Sequence, residues 1–343
     1  MAENLVLLLP DDFHAHLRRG PAMAAYAERH AASFGRALVM PNTKPPVASA
    51  AEIAAYRREI LAAAARASGG RFEPLMSFKL LAGMSRAAVL ACGQAGAIAG
   101  KYYPAGATTG SEDGIVEPES ADEALDAMEE AGIVLCIHGE SPGAPALDRE
   151  AGFLAVIDGM LGRHPRLRVV MEHISTVESL EFLRRAPRRV GATVTAHHLL
   201  CSLEDLLGGE LDPQLFCRPV LKAQRHVDAL RDAVLRGEPR LFFGSDSAPH
   251  PRSAKSGRRA PAGIYASPSA LPALAGFFEA EGRLGALESF VARTGAAFYG
   301  LPPPRGSLEL VRGPWTVPEE LDGAVPFLSG RSLAWRLGRA APL

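Results

Sequence analysis

The chain has little lysine. Only Lys44, Lys79, Lys101, Lys222 and Lys255 occur in 343 residues, and arginine supplies the rest of the 37 basic side chains. A lysine in an apolar setting therefore draws attention, because a buried ammonium is costly unless something compensates it. Cysteine is also scarce. Cys92, Cys136, Cys201 and Cys217 are scattered, with no C-x-x-C pair. That excludes a disulfide framework or a zinc ribbon and reads as reduced thiols in a cytoplasmic protein. The formal net charge is −1, so the composition offers no basic face for nucleic acid. No apolar run approaches the roughly 18 residues of a membrane span, and no membrane contact is expected. The N-terminus lacks the basic region and apolar length of a signal peptide. No repeat and no long linker divides the chain. What is present is apolar mass, 48% of residues. It suits one large barrel or two ordinary domains.

The apolar stretch Leu5 to Leu9 reads as a first buried strand, stopped by Pro10. Seven further apolar runs follow at Arg36–Met40, Pro74–Lys79, Ala97–Tyr103, Ile133–His138, Arg168–His173, Val190–Thr195 and Arg240–Gly244. Helical stretches alternate with them, at 22–33, 50–67, 86–93, 121–131, 151–163, 177–185 and 226–236. Two more follow at 271–281 and 284–294. Strand and helix in alternation predict a parallel sheet. Eight units in roughly 250 residues predict an α/β fold of the TIM type, a closed (β/α)8 barrel. We expect one domain over 1–343, with the barrel over about 4–300 and a C-terminal extension over about 301–343. Strand-like pieces occur in that extension at 308–311 and 333–337. The small-residue loop 104–114 is expected to be mobile.

In such a barrel, function sits at the carboxyl ends of the strands. His14, His16, Lys101, His138, His173 and Asp246 all fall at or just past such ends. In extended backbone His14 and His16 project the same way, and neutral imidazole ligates zinc and similar cations. Six groups exceed one tetrahedral zinc and suit a two-metal site at the strand ends. Lys101 fits only if carbon dioxide carboxylates its amine into an anionic bridge. A salt bridge at the barrel rim accounts for its position equally well. Asp246 also sits among cap-type residues, where an Asx turn is the ordinary role. His197 and His198 read as packing or as groups behind the ligands. Glu140 and Glu172 read either as orienters of imidazoles or as solvated turn carboxylates. Lys222 and the basic loop 252–259 read as solvated or substrate-steering, and Cys136 as core.

The strings DDFHAHLR, MPNTKPP, GKYYPAGATT, IHGE, MEHIS and GSDSAPH together resemble the motif series of the dihydroorotases. The likeness is to the short monofunctional bacterial type within the amidohydrolases, and it runs in order to about Gly300. It implies a zinc-dependent hydrolase of cyclic amides. The reaction would be the reversible cyclisation of N-carbamoyl-L-aspartate to dihydroorotate plus water, the third step of pyrimidine synthesis. It also implies two zinc ions bridged by carboxylated Lys101. His14, His16 and Asp246 would hold the more buried ion, and His138 and His173 the other. Asp246 would be the catalytic base. Arg18 and Asn42 would hold the substrate carboxylate, Thr108 and Thr109 a closing loop, and His250 and Ala262 further substrate contacts. Arg218 stands where many relatives have leucine, at a position whose backbone meets the ring. The small-molecule substrate would be the main partner, with a homodimer as the assembly. Two other readings compete. One is another cyclic-amide hydrolase, such as a hydantoinase or dihydropyrimidinase. The other is a non-catalytic relative serving as a structural partner.

Overall fold

Strands rich in Val, Leu, Ile and Phe on both faces need cover on both sides, and a parallel barrel wrapped in helices gives it. In the computed structural model residues 4–68 and 70–341 are described. Positions 1–3, 69 and 342–343, which the single-domain expectation includes, lie outside them. Strand β1 (Leu5–Leu8) comes first. The chain then forms β2 (Asp11–Ala15), β3 (Arg36–Val39), β4 (Glu73–Lys79) and β5 (Ala97–Tyr102). β6 (Val134–Ile137), β7 (Val169–Met171), β8 (Val190–Val194) and β9 (Leu241–Phe243) follow. β2 to β9 make one eight-stranded sheet in sequence order, and every pairing is parallel. The ring is joined where Asp246 N donates to His14 O and His16 N donates to Ser247 O, each at 2.9 Å.

The first strand differs from the expectation. Leu5–Leu8 is not in the barrel. It pairs antiparallel with β10 (Ser307–Thr316), which pairs with β11 (Ser332–Ala341) in a separate three-stranded sheet. The reason lies in the burial pattern. Leu7 is buried while Val6 is 62% exposed, the alternation of a sheet with one wet face. The true first barrel strand has the sequence DDFHA and is wholly buried. Its carboxylates survive there because each is bonded. Asp11 accepts from Arg36 Nε at 2.8 Å and Nη2 at 2.5 Å. Asp12 accepts from the backbone N of His14 at 3.0 Å and of Ser245 at 2.7 Å. Even so, burial pushes the Asp11 carboxyl up to about 6 and that of Asp12 to about 7.

The tail strands are longer than the pieces read from sequence, and Leu308, Leu310 and Trp335 join the main core. The stretch expected as one helix over 284–294 breaks into a 3-10 turn (Leu284–Ala286), a π turn (Ser289–Arg293) and a helix (Thr294–Tyr299). Packing shapes it. Tyr299 stacks on Phe13 with centroids 4.8 Å apart, and any Cβ at Gly295 would fall 2.3 Å from the Phe13 ring. No helix among the described residues is long and apolar enough to cross a membrane.

Candidate active site

The barrel gathers the six proposed ligands at one end. His14 lies in β2 and His16 just past it, Lys101 is in β5, and His138 directly follows β6. His173 and Asp246 follow β7 and β9, each with φ +44°. Arg18 has φ +61°. Three non-glycine residues in the left-handed region at one mouth is the strain pattern of a functional site. A small cavity opens among them, walled by His14, His16, His138, His173 and Asp246. Arg18, Asn42, Thr108, Thr109, Arg218 and Ala262 also face it. So do Tyr103, Ala248 and Gly263, which the sequence reading missed. Of these, Tyr103 lay within a quoted motif, beside Lys101.

The donors crowd together. His14 Nε2 and His16 Nε2 are 3.2 Å apart, and Asp246 Oδ1 is 3.3 Å from the first and 3.1 Å from the second. His14 Nδ1 lies 3.1 Å from the Glu172 carboxylate but is not aligned with it for a hydrogen bond, while its Nε2 faces His16 and Asp246. The His173 ring is 5.0 Å from that of His14 and 4.8 Å from that of His138. His138 Nε2 is 2.8 Å from Glu140, so the tautomer that donates there keeps Nδ1 free. Burial pushes His14 and His173 well below the usual imidazole range and lowers His16 as well. Neutral imidazoles are the metal-binding form. The Lys101 amine is fully buried against Glu172 and has no well-aligned hydrogen-bond partner. Burial outweighs the pull of Cys136 and Asp246 and lowers it to about 7. Buried lone pairs and carboxylates with few protons between them make a set that fits cations.

Glu140 and Glu172 are buried rather than solvated; Glu140 is hydrogen-bonded to His138, whereas Glu172 lies beside His14 and Lys101 without an aligned hydrogen bond. Replacing Glu140 by Gln keeps its size but weakens the hold on His138. We expect metal affinity to fall about 10- to 100-fold, measured by competition with a chelator. An unchanged affinity would leave the carboxylate without that role.

The carboxylate-binding side is equally fixed. Arg18 Nε donates to Pro249 O at 3.0 Å, and its Nη2 is 2.9 Å from His250 Nε2. His250 Nε2 is also 3.0 Å from Ala262 O, so this one nitrogen either accepts from the guanidinium or donates to that carbonyl, according to its tautomer. Asn42 Nδ2 donates to Thr109 O at 3.3 Å. Arg218 lies over the Phe216 ring, and its Nη1 is buried without a partner.

Other groups fall away from the cavity. His197, His198 and Cys217 form a separate buried donor group that does not line it. There His198 is bonded to Thr195 Oγ1 and Pro219 O. Lys222 is not solvated, contrary to expectation. It is buried, donates to Val220 O and has the buried Glu150 carboxylate near enough to offset its charge. Within the basic loop, Lys255 is also buried. It donates to Phe216 O and Gly263 O and so braces the cavity wall, while Arg252 stays exposed. Cys136 is core, as expected.

The sequence of residues 11–273 matches the family model described as amidohydrolase. The chain is 44% identical to the dihydroorotase of Alkalilimnicola ehrlichii over 98% of this chain and 99% of that one. A dihydroorotase structure from Campylobacter jejuni superposes with a TM-score of 0.91 at 31% identity, covering 98% of both chains. An L-hydantoinase from Arthrobacter aurescens superposes at 0.81 with 16% identity, covering 99% of this chain and 83% of that one, a likeness of fold alone. With the donor cluster at the barrel mouth and near-complete coverage by such relatives, the chain belongs to the dihydroorotases of the amidohydrolase family.

Proposed function

We infer that the chain interconverts N-carbamoyl-L-aspartate and dihydroorotate, the third step of pyrimidine synthesis. The observation that carries this is the pairing of two sets of groups in one small cavity. A donor cluster suited to two cations faces Arg18 and Asn42, which suit a free carboxylate. In this reading the cations would be zinc. His14, His16 and Asp246 would hold one and His138 and His173 the other, with Lys101, once carboxylated, supplying an anionic oxygen pair to both. The neutral tendency of the Lys101 amine supports that modification, since only a free amine attacks carbon dioxide. Bound there, the ions polarise an amide carbonyl and make water acidic enough to attack it at neutral pH.

The chain's own groups do the rest. Arg18 is a planar fork that matches a carboxylate, and Asn42 and His250 complete that grip. Asp246 directs one oxygen at the two imidazoles, and its other oxygen serves as the proton carrier. In hydrolysis it takes the proton of the attacking water and delivers it to the leaving ring nitrogen. In cyclisation the carbamoyl nitrogen bonds to the side-chain carboxyl carbon. Asp246 moves the nitrogen's proton to the departing oxygen, and a second proton taken up from solvent lets that oxygen leave as water. Thr108 and Thr109 close over the substrate and exclude solvent. Ala262 and the backbone at Arg218 flank the ring. The assembly in this reading is a homodimer.

Purified zinc-loaded protein, followed by dihydroorotate absorbance in both directions, is the test. We expect turnover both ways and its loss on chelation. Hydrolysis of hydantoin or dihydrouracil without turnover of dihydroorotate would replace this reading with the hydantoinase one. Neither activity together with no bound metal would favour the non-catalytic one.

A further inference from the structure

Lys79 ends β4 and stands in register with Lys101 of the neighbouring strand. It is 1% exposed, yet nothing in the reaction above uses it. Its Nζ donates to Gly110 O at 2.9 Å and to the Asp113 carboxylate, and it lies 5.6 Å from the centroid of the Tyr103 ring. Both hydrogen-bond partners other than the ring belong to the loop that carries Thr108 and Thr109. That loop is a braced unit. Ser111 Oγ accepts from Thr108 N at 2.9 Å and donates to Thr108 O at 2.7 Å. Its base is closed by Ile115 N donating to Tyr103 O at 2.8 Å and Ala105 N donating to Ile115 O at 3.0 Å. Gly114 is required there, since a Cβ would lie 2.6 Å from Tyr103 O. The expectation of a loose loop thus meets one that is tied at its foot and held at its tip.

We propose that Lys79 and Asp113 form a latch that holds loop 104–114 over the cavity, which makes Lys79 a positioning residue for Thr108 and Thr109. This rests on the reading of those threonines as substrate contacts. The latch is unequal. The ammonium is rooted in a barrel strand, while the Asp113 side chain is 49% exposed. When the loop lifts, a buried cation loses its anion and must find water in the cavity, which opposes lifting. The exposed half leaves the contact open to salt, which screens it within a Debye length of about 10 Å at 0.1 M. The grip on substrate is therefore set in part by a charge pair outside the reacting groups.

The test uses the full-length, zinc-loaded protein and the variants D113N and K79M. Glutamyl endopeptidase reports on the loop, because Glu112 is exposed at its tip. We expect cleavage after Glu112 to be about five-fold faster in D113N, the scale of a partly exposed ion pair. The KM for dihydroorotate should rise by a similar factor with kcat changed less, and K79M should exceed D113N on both counts. Added 0.5 M KCl should raise the KM of the parent and leave that of D113N nearly unchanged. A purely structural role would lower the melting temperature without moving KM or its salt dependence. If D113N matches the parent in loop cleavage, KM and salt response, the latch is refuted, and that holds even if K79M fails to fold. If the parent itself does not turn over dihydroorotate, the functional reading fails, while the cleavage rates still decide the latch.

Discussion

Lys101→Ala should strip metal from the protein and lower kcat/KM for dihydroorotate by about 1,000-fold or more, the several kcal/mol that bound cations contribute to such a reaction. The argument is one of position and of charge. Lys101 is fully buried among the imidazoles, and burial lowers its amine to about 7. A protonated amine here would repel metal, and a neutral one would bring no negative charge to it. A carboxylated one carries an anionic oxygen pair into the same space. Alanine leaves a gap that a small carboxylate can enter, so acetate or propionate should restore part of the activity. Elemental analysis and turnover with and without the acid read both effects. A mutant that keeps two metal ions per chain would show that the lysine is no bridge.

Arg18→Ala should cost at least about 3 kcal/mol of transition-state binding, roughly 150-fold in kcat/KM. Its guanidinium does not have to be recruited. The backbone is already in the left-handed region, Nε is held by Pro249 O, and the Arg18 carbonyl accepts from Tyr56 Oη at 2.7 Å. Lysine at this position keeps the charge but not the fork, so it should recover only a small part of the loss. The same substitution separates substrates. A cyclic amide without a free carboxylate gains little from Arg18. Normal turnover of dihydroorotate by the mutant would therefore place the substrate carboxylate elsewhere.

Much of the barrel was legible because parallel strands covered on both faces read as plain apolar runs, as in RALVM and IVLCIH. The histidines stood out for the same reason, as polar groups at the ends of those runs. The first barrel strand was illegible for the opposite reason. DDFHA has no apolar run, and what lets it lie inside is Arg36, 25 residues away in sequence, together with the backbone at Ser245. Sequence spacing carries no trace of such partners. The run LVLLL attracted the assignment instead, though half of it faces solvent. The pairing of Glu140 with His138 needed distances to resolve, since a turn carboxylate and a histidine partner look alike in one dimension. Lys79 and Lys255 did leave a signal. In a chain that uses arginine almost everywhere, four of its five lysines are buried.

The small sheet ties the order of synthesis to the order of assembly. Leu5 to Leu8 is made about 300 residues before its partners, Leu310 back to Ser307. At roughly 5 to 20 residues per second, that leaves this apolar segment single for about 15 to 60 s on the ribosome. The barrel strands meet their sequence neighbours far sooner. Of the strand pairings described, this one therefore waits longest for its partner during synthesis.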